Sequence, residues 1–331
     1  MEQVNLDRAP VAPSGIIGGG IPLIDLSDRP NSVVEQIGDA CRLWGFFQVM
    51  GHGVAPDLTA RVLDIARSYF AQPIEVKRSQ LRSKENPWGF YDRELTKEQR
   101  DRKQVFDIGP DVSLDRPASD DPFDGATPWP AEPPDFASVM RCWAAEMNRL
   151  SGQLIGMIGS SLTGDFERLR AAFEPAHTSY LRLNFYPVDD ALAAETGSEA
   201  DLGIHHHTDA GGLTVLLQDG VSGLQVFHDG YWHDITPVPG AFTINIGDMT
   251  QVWSNDAYRA PVHRVLAMNR SERISIPYFY NPSYDTVVAP LSGEPRYAPI
   301  PWGEFRRKRA DGDFADYGAE VQISDYRLHC G

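Results

Sequence analysis

Cysteine is scarce in this sequence. Its 331 residues include three cysteines, Cys41, Cys142 and Cys330, which are too few and too scattered for a disulfide framework or a cysteine-based zinc site. Cys41 and Cys142 fall in apolar helical patterns, so we expect both thiols to be buried. Such sparse use of cysteine fits a reducing compartment, and we expect a cytoplasmic protein.

Long apolar runs and net positive charge are also lacking. No run approaches the roughly 20 apolar residues of a membrane span, and the N-terminus lacks the charged-then-apolar order of a secretory signal. The formal net charge of −16 argues against nucleic acid as a partner, because proteins that bind it carry a basic face. We therefore expect neither nucleic acid nor a membrane as a partner, and the sequence gives no sign of an obligate protein partner.

The chain is predicted to form one domain behind a short leader. Residues 1–20 are rich in Gly, Pro and Ala and predict a mobile leader. Residues 21–331 contain no linker long enough to separate two domains. Within them we expect an N-terminal α/β region over 21–175, a β core over 176–290 and a C-terminal closing segment over 291–331.

The predicted fold is mainly β with flanking helices. Apolar residues at helical spacing predict two helices near the N-terminus and a long one over about 136–162. Short β-runs separated by Gly and Asp-Gly turns then follow at even spacing, which favours a double-stranded β-helix, or jelly-roll, core. The predicted strands are Leu213–Leu217, Leu224–Phe227, Tyr231–Ile235, Phe242–Ile246, Arg264–Ala267 and Ile274–Tyr280.

Three residues of the core have the chemistry of a metal site. His207-Thr208-Asp209 is followed 56 residues after His207 by His263. Two imidazoles and one carboxylate are the protein ligands of the facial triad that binds non-haem Fe(II) and leaves three positions open. Because side chains alternate along a strand, a His-x-Asp at a strand end presents both ligands on one face. We therefore predict that His207, Asp209 and His263 bind the metal and are the catalytic centre.

Each ligand also has a simpler interpretation when taken alone. Asp209 could be a turn aspartate, His263 a core histidine, and the run His205-His206-His207 a solvated loop. His207 is chosen from this run because an aspartate lies two positions beyond it. His205 and His206 remain candidates for lining the pocket or supporting a ligand.

An arginine and a serine follow the predicted triad on an apolar strand. Arg273 and Ser275 are two positions apart and should point to one side. The guanidinium fork grips a carboxylate through two parallel hydrogen bonds, and it is costly to bury without an anionic partner. We predict that this pair binds a carboxylate brought to the metal; the alternative is an ion pair with a protein carboxylate.

Taken together, these motifs resemble the isopenicillin-N-synthase-like branch of the 2-oxoglutarate/Fe(II)-dependent dioxygenases. The resemblance covers nearly the whole chain. It rests on Ile21-Pro22-Leu23-Ile24-Asp25-Leu26, Trp44-Gly45-Phe46-Phe47-Gln48-Val49, Arg182-Leu183-Asn184-Phe185-Tyr186-Pro187, His207-Thr208-Asp209, Gly223-Leu224-Gln225-Val226, Asn245-Ile246-Gly247-Asp248, His263-Arg264-Val265 and Arg273-Ile274-Ser275.

The resemblance implies an iron enzyme with 2-oxoglutarate as co-substrate. The keto acid end of 2-oxoglutarate would chelate the iron, Arg273 and Ser275 would hold its far carboxylate, and Asn184 and Tyr186 would assist. With O₂, such an enzyme hydroxylates, desaturates or cyclises at an unactivated C–H bond of a small organic molecule and releases succinate and CO₂. The implied substrate is of natural-product or hormone-like type.

Two further segments are expected near the mouth of the site. By the same resemblance, the segment around Trp88–Lys97, within residues 83–110, would shape the substrate pocket. Pro301, Trp302, Phe305 and Tyr317 would belong to a C-terminal helix and tail that cover it.

Three other functions stay open at this point. An oxidase like isopenicillin N synthase or aminocyclopropane-carboxylate oxidase would use the arginine for another carboxylate and need no 2-oxoglutarate; Asn184-x-Tyr186 argues against it. A nucleic-acid demethylase would have a second arginine where Phe279 stands. A non-catalytic small-molecule binder would not need all three metal ligands.

Overall fold

The computed structural model describes residues 6, 9–12, 20–96, 99–110, 123, 125–192, 202–315 and 321–328. Its strands are β1 (Leu23–Asp25), β2 (Phe46–Met50), β3 (Gly89–Tyr91), β4 (Leu95–Thr96), β5 (Gln99–Arg100), β6 (Gln104–Ile108), β7 (Tyr180–Tyr186), β8 (Leu202–His207), β9 (Leu213–Gln218), β10 (Leu224–His228), β11 (Tyr231–Asp234), β12 (Phe242–Ile246), β13 (His263–Leu266), β14 (Arg273–Tyr280), β15 (Val287–Val288) and β16 (Ile300–Pro301). Its helices are α1 (Pro30–Leu43), α2 (Pro56–Phe70), α3 (Ile74–Arg78), α4 (Phe136–Thr163), α5 (Glu167–Arg170), α6 (Asp248–Trp253) and α7 (Trp302–Ala315).

Two sheets form the core. The larger has the strand order β1-β2-β12-β9-β14-β7-β6-β3, and the smaller has the order β11-β10-β13-β8. From β7 to β10 successive strands alternate between the two sheets, and β12, β13 and β14 do so again. This alternation is the winding of a double-stranded β-helix. The predicted mainly-β architecture is confirmed.

The long helix α4 packs beneath the larger sheet. Apolar residues recur along one face of its 28 residues, and Trp143, Met147 and Leu154 are fully buried there. The ring of Trp143 meets that of Phe242 on β12 edge to face at 5.7 Å. Gly164, at φ +77, takes the left-handed conformation that ends the helix. None of the described helices is both long enough and apolar enough to cross a membrane.

Two local predictions need correction. Cys142 is exposed, although Cys41 is buried as expected. The reason is that Cys142 precedes the inward-facing Trp143 by one position, and one residue turns a helical side chain by about 100°. The strand predicted at Arg264–Ala267 begins instead at His263, because His263 pairs with His207 on β8 and with Val226 on β10.

Part of the predicted leader is described. Val11 pairs with Trp232, the backbone N–H of Ala12 donates to the Trp232 carbonyl at 2.8 Å, and the Trp232 indole donates to the carbonyl of Leu6 at 3.0 Å. Tyr317 and Cys330 lie outside the described residues.

Candidate active site

The two histidines of the predicted triad are direct neighbours across the smaller sheet. His207 ends β8, and His263 opens β13 opposite it. Their ring centroids are 4.3 Å apart. Asp209 follows two residues beyond the end of β8, so its side chain turns back to the same point. The potential ligand atoms of the three residues all lie within 4.8 Å of one another. The structure therefore brings together all three predicted ligands.

The two oxygens of the Asp209 carboxylate have different partners. Its Oδ1 faces both imidazoles, 3.5 Å from His207 Nε2 and 3.6 Å from His263 Nε2. Its Oδ2 accepts hydrogen bonds from the Thr214 hydroxyl at 2.5 Å and the Asn245 amide at 2.8 Å. These two donors fix the plane of the carboxylate and leave one oxygen directed at the histidines.

Backbone carbonyls orient the two rings. Nδ1 of His207 lies 2.8 Å from the carbonyl oxygen of His205, and Nδ1 of His263 lies 3.1 Å from that of Pro261. In a neutral ring this contact puts the proton on Nδ1, where it is donated to the carbonyl, and leaves the lone pair on Nε2. The Nε2 atoms of both rings and Oδ1 of Asp209 then face one common point. Together they form a facial set of two nitrogen donors and one oxygen donor.

The charges of the triad favour an ionised carboxylate. Burial acts to raise the pKa of Asp209, but the two imidazoles and Asn245 outweigh it and hold that pKa well below its usual range. Burial and the neighbouring His207 lower the pKa of His263 to about 4. Burial also opposes protonation of His207, yet the hydrogen bond and charge of Asp209 raise the pKa of His207 above its usual value. Asp209 is thus anionic and His263 neutral near pH 7.

The loop after Asp209 is held against the start of α6. The backbone N–H of Asp248 donates to the carbonyl of Asp209 at 2.8 Å, and that of Gly247 donates to Gly212 at 2.9 Å. A Cβ on Gly247 would overlap the carbonyl oxygen of Gly211 and lie 2.9 Å from that of Asp209. Glycine at position 247 therefore allows the close approach that fixes the carboxylate ligand.

Arg273 lies in the same cavity, on the larger sheet. It is fully buried. Its Nε donates to the carbonyl of Val221 at 3.1 Å, and one terminal nitrogen donates to Gln218 Oε1 at 2.8 Å. The other terminal nitrogen, NH1, is buried without a hydrogen-bond partner. The ion pair with a protein carboxylate, considered above as the alternative, is not observed among the described residues.

Ser275, Asn184 and Tyr186 surround this arginine. On the paired strands β14 and β7, Arg273 lies opposite Tyr186, and Ser275 opposite Asn184. The Ser275 hydroxyl is 3.4 Å from the Asn184 amide nitrogen and 3.5 Å from the Tyr186 hydroxyl. The guanidinium carbon of Arg273 lies 4.9 Å from the centroid of the Tyr186 ring. All four predicted residues converge on one buried polar cradle.

A cavity of about 190 Å³ joins the triad to this cradle and continues to an aromatic wall. The ring of Tyr180 stacks on that of Phe279, with their centroids 4.7 Å apart. The Trp88 ring centroid lies 5.6 Å from that of Tyr180 and 5.8 Å from that of Phe123. The segment predicted near the mouth and helix α7 both contribute, through Trp88, Glu94, Leu95, Thr96, Lys103, Asp107, Trp302, Arg306, Arg309 and Ala310.

Charged side chains on this wall are paired with one another. Arg182 binds both carboxylate oxygens of Asp107, at 2.7 and 2.8 Å, and one oxygen of Glu94 at 2.9 Å. Lys103 Nζ lies 2.7 Å from the same Glu94 oxygen. Burial acts to raise the pKa of Glu94, but these cations hold it well below its usual range. A paired group of charged side chains, Arg182, Lys103, Asp107 and Glu94, therefore lies beside the aromatic wall.

Two family models match the chain. The model of the 2OG-Fe(II) oxygenase superfamily matches residues 177–282, and that of the non-haem dioxygenase in morphine synthesis N-terminal region matches residues 21–132. A relative from Arabidopsis thaliana, Protein DMR6-LIKE OXYGENASE 1, is 35% identical over 282 residues, which cover 82% of this chain and 76% of that protein. The chain belongs to the 2OG-Fe(II) oxygenase superfamily.

Other oxygenases of this superfamily are similar over most of the chain. Homoarginine-6-hydroxylase 2-ODD-C23 from Glycine max is 33% identical over 294 residues, covering 82% of this chain and 88% of that protein. The crystal structure of JOX2 in complex with 2OG, Fe and JA has a TM-score of 0.79 and 28% identity, and covers 97% of this chain and 91% of that one. The resemblance stated from the sequence is confirmed, and the chain is an enzyme of the 2-oxoglutarate- and Fe(II)-dependent type.

The residues of this oxygenase fit both Fe(II) and 2-oxoglutarate. Neutral imidazole nitrogens and a carboxylate oxygen are donors that suit Fe(II). The buried, unpartnered NH1 of Arg273 is an unmet charge-assisted donor, which a carboxylate satisfies. The donor set and the cradle therefore agree with iron and 2-oxoglutarate.

Sequence reasoning missed the residues that support the ligands. Thr214 and Asn245 hold Asp209, Gln218 holds Arg273, and Asp101 accepts a hydrogen bond from the His205 backbone at 3.0 Å. Thr214 and Asn245 carried one usable signal, since each is a polar residue that interrupts an apolar strand. Asp101 carried none, because 104 residues separate it from His205.

Proposed function

We propose that this enzyme uses His207, Asp209 and His263 to bind Fe(II), and Arg273 and Ser275 to hold the far carboxylate of 2-oxoglutarate, assisted by Asn184 and Tyr186. The observation that carries the proposal is the shared cavity. Its triad offers three donors on one side, and its buried arginine offers an unmet donor on the other. When bound, the iron supplies activation of O₂ and oxidative decarboxylation of the co-substrate.

The protein's own contribution is to place the proposed ligands. Thr214 and Asn245 hold the Asp209 carboxylate, while the carbonyls of His205 and Pro261 keep each ring proton on Nδ1. Fixed ligands require little rearrangement when substrate binds.

The primary substrate is proposed to be a small organic molecule of natural-product or hormone-like type. The aromatic wall of Trp88, Tyr180 and Phe279 offers flat apolar surface beside the triad. The similar proteins include a homoarginine hydroxylase and a structure that contains JA, so their ligands do not select one chemistry for this enzyme. A C–H bond placed at the triad would be hydroxylated, desaturated or used to close a ring.

Two organisational predictions remain proposals. We propose that residues 21–331 act as one dioxygenase domain behind a leader over 1–20, because β1 near the start of that range joins the larger sheet and α7 near its end lines the cavity of the triad. We also propose a cytoplasmic location, since Cys41 and Cys142 are both free thiols.

The experiment is anaerobic addition of Fe(II) and 2-oxoglutarate to the metal-free protein, followed by O₂ and a library of small organic compounds. A weak visible charge-transfer band should form before O₂ is added, and succinate release should rise with one compound class. If no band forms and no compound stimulates O₂ uptake, the catalytic assignment is wrong and a binding role is favoured.

The 2-oxoglutarate-independent oxidase is distinguished in the same assay. Such an enzyme would consume O₂ with its substrate and release no succinate. Asn184 and Tyr186 argue against it, because both lie beside the Ser275 hydroxyl, at 3.4 and 3.5 Å, where they support the proposed 2-oxoglutarate site. One succinate released for each product formed would exclude the oxidase.

A further inference from the structure

The strand that carries His207 lies at the edge of the smaller sheet. β8 pairs with β13 on one side, and the pairing register shifts twice between His263 and Leu266. The other side of β8 meets no strand among the described residues. An edge strand leaves one row of its backbone N–H and C=O groups without a partner strand. Yet a metal ligand must be held to within about 0.5 Å.

The segment that follows β5 covers this open edge. The backbone N–H of Arg102 donates to the carbonyl of Leu202 at 3.3 Å. Asp101 Oδ1 accepts the backbone N–H of His205 at 3.0 Å and lies 3.0 Å from His205 Nδ1. Asp101 is fully buried. One side-chain oxygen thus replaces the carbonyl that a neighbouring strand would offer.

The other oxygen of Asp101 is held by the hairpin of β4 and β5. Oδ2 accepts the Thr96 hydroxyl at 2.9 Å and lies 3.2 Å from Lys103 Nζ. The Asp101 backbone N–H donates to the carbonyl of Glu94 at 2.9 Å. The Asp101 carboxylate therefore has little freedom to move, and the His205 N–H that it binds is fixed relative to the hairpin.

The residue whose N–H Asp101 holds is also the residue whose carbonyl orients a proposed metal ligand. The carbonyl of His205 is the oxygen 2.8 Å from His207 Nδ1. In a strand, the N–H and C=O of one residue point to the same edge. Asp101 fixes the N–H of His205, and the C=O of the same residue fixes the His207 ring.

We propose that Asp101 is a positioning residue that sets the orientation of His207 through the backbone of His205. The proposal rests on the metal site proposed above. Partners of metal-ligating histidines typically contribute 10- to 100-fold in metal affinity. Loss of Asp101 should therefore weaken metal binding about 10-fold or more while leaving the fold in place.

The test is calorimetric titration of Co(II) into the metal-free full chain and its variants. Asp101→Asn keeps the size of the side chain, but its one acceptor oxygen is needed by the Lys103 ammonium, which turns the NH2 group toward the His205 N–H and removes that hydrogen bond. The Kd for Co(II) should rise about 10-fold. Asp190→Asn is the matched control. Asp190 is a carboxylate whose side chain is 7% exposed and which binds Arg100 of the same hairpin, at 2.6 and 3.0 Å. This control should keep the wild-type Kd.

Three results of the titration would overturn the proposal. The first is a wild-type Kd in Asp101→Asn, and the second is equal weakening in Asp190→Asn, which would indicate general loosening of the hairpin. The third is a wild-type protein that does not bind Co(II), which would overturn the proposed metal site itself. Hydrogen exchange of the wild-type protein needs no variant: the His205 amide should exchange as slowly as the paired amides of β13. Exchange at the rate of an open amide would also refute the proposal.

Discussion

Replacing Arg273 with lysine tests the co-substrate cradle most directly. The guanidinium makes two hydrogen bonds to the protein, to Val221 and Gln218, and has a third nitrogen buried in the cavity without a partner. A lysine ammonium has the same charge but one nitrogen on a flexible chain. It cannot donate hydrogen bonds to the Val221 carbonyl, to Gln218 and to both oxygens of an incoming carboxylate at the same time.

The expected magnitude follows from the lost contacts. A hydrogen bond to a charged group contributes about 1.5–3 kcal/mol. Losing one such bond corresponds to roughly a 10- to 100-fold weaker affinity. Arg273→Lys should therefore raise the KM for 2-oxoglutarate by that factor. The kcat should change less, because the far carboxylate is held in both the ground state and the transition state.

The assay is succinate release at varied 2-oxoglutarate, with a direct anaerobic titration that gives Kd. Arg141→Lys is the control, since Arg141 stacks on Trp129 at 4.6 Å and does not line the cavity of the triad. An unchanged KM in Arg273→Lys would refute the reasoning and leave Arg273 as a structural residue that ties β14 to Val221 and Gln218.

Four further outcomes are expected. His207→Ala and Asp209→Ala should each abolish Co(II) binding and turnover with an unchanged far-ultraviolet circular dichroism spectrum; near-normal turnover would disprove the ligand assignment. Metal affinity should fall as pH drops through the raised pKa of His207, because protons compete for Nε2; a flat profile between pH 6 and 8 in calorimetry would contradict this. Gly247→Ala should weaken Co(II) binding by displacing the loop of Asp209, whereas Gly20→Ala, with open space around the new methyl group, should not. Trp143→Ala should lower the free energy of unfolding by about 3–5 kcal/mol in a urea titration, since the ring is fully buried; a loss under 1 kcal/mol would contradict the packing described.

The residue types of the site could be predicted from the sequence because the chemistry restricts them strongly. A His-x-Asp pair with a distant histidine predicted His207, Asp209 and His263, and the structure brings them together. An arginine in an apolar strand predicted a buried anion site at Arg273. These inferences needed only the alternation of side chains along strands and the donor preferences of iron.

The supporting contacts could not be predicted, because they depend on tertiary register. Asp101 meets His205 only after the hairpin of β4 and β5 has packed on the edge of β8. Cys142 was wrongly expected to be buried, because a one-residue difference decides that Trp143, and not Cys142, faces the sheet. Periodicity identifies an element more reliably than it orients each residue.

The histidine pair and the arginine–serine pair of the cavity belong to different layers of the fold. His207 and His263 stand on the smaller sheet, whereas Arg273 and Ser275 stand on the larger one. In the binding mode proposed above, 2-oxoglutarate would contact residues of both layers at once. Binding of 2-oxoglutarate should therefore raise the temperature at which the two layers separate, by an amount that grows with its affinity.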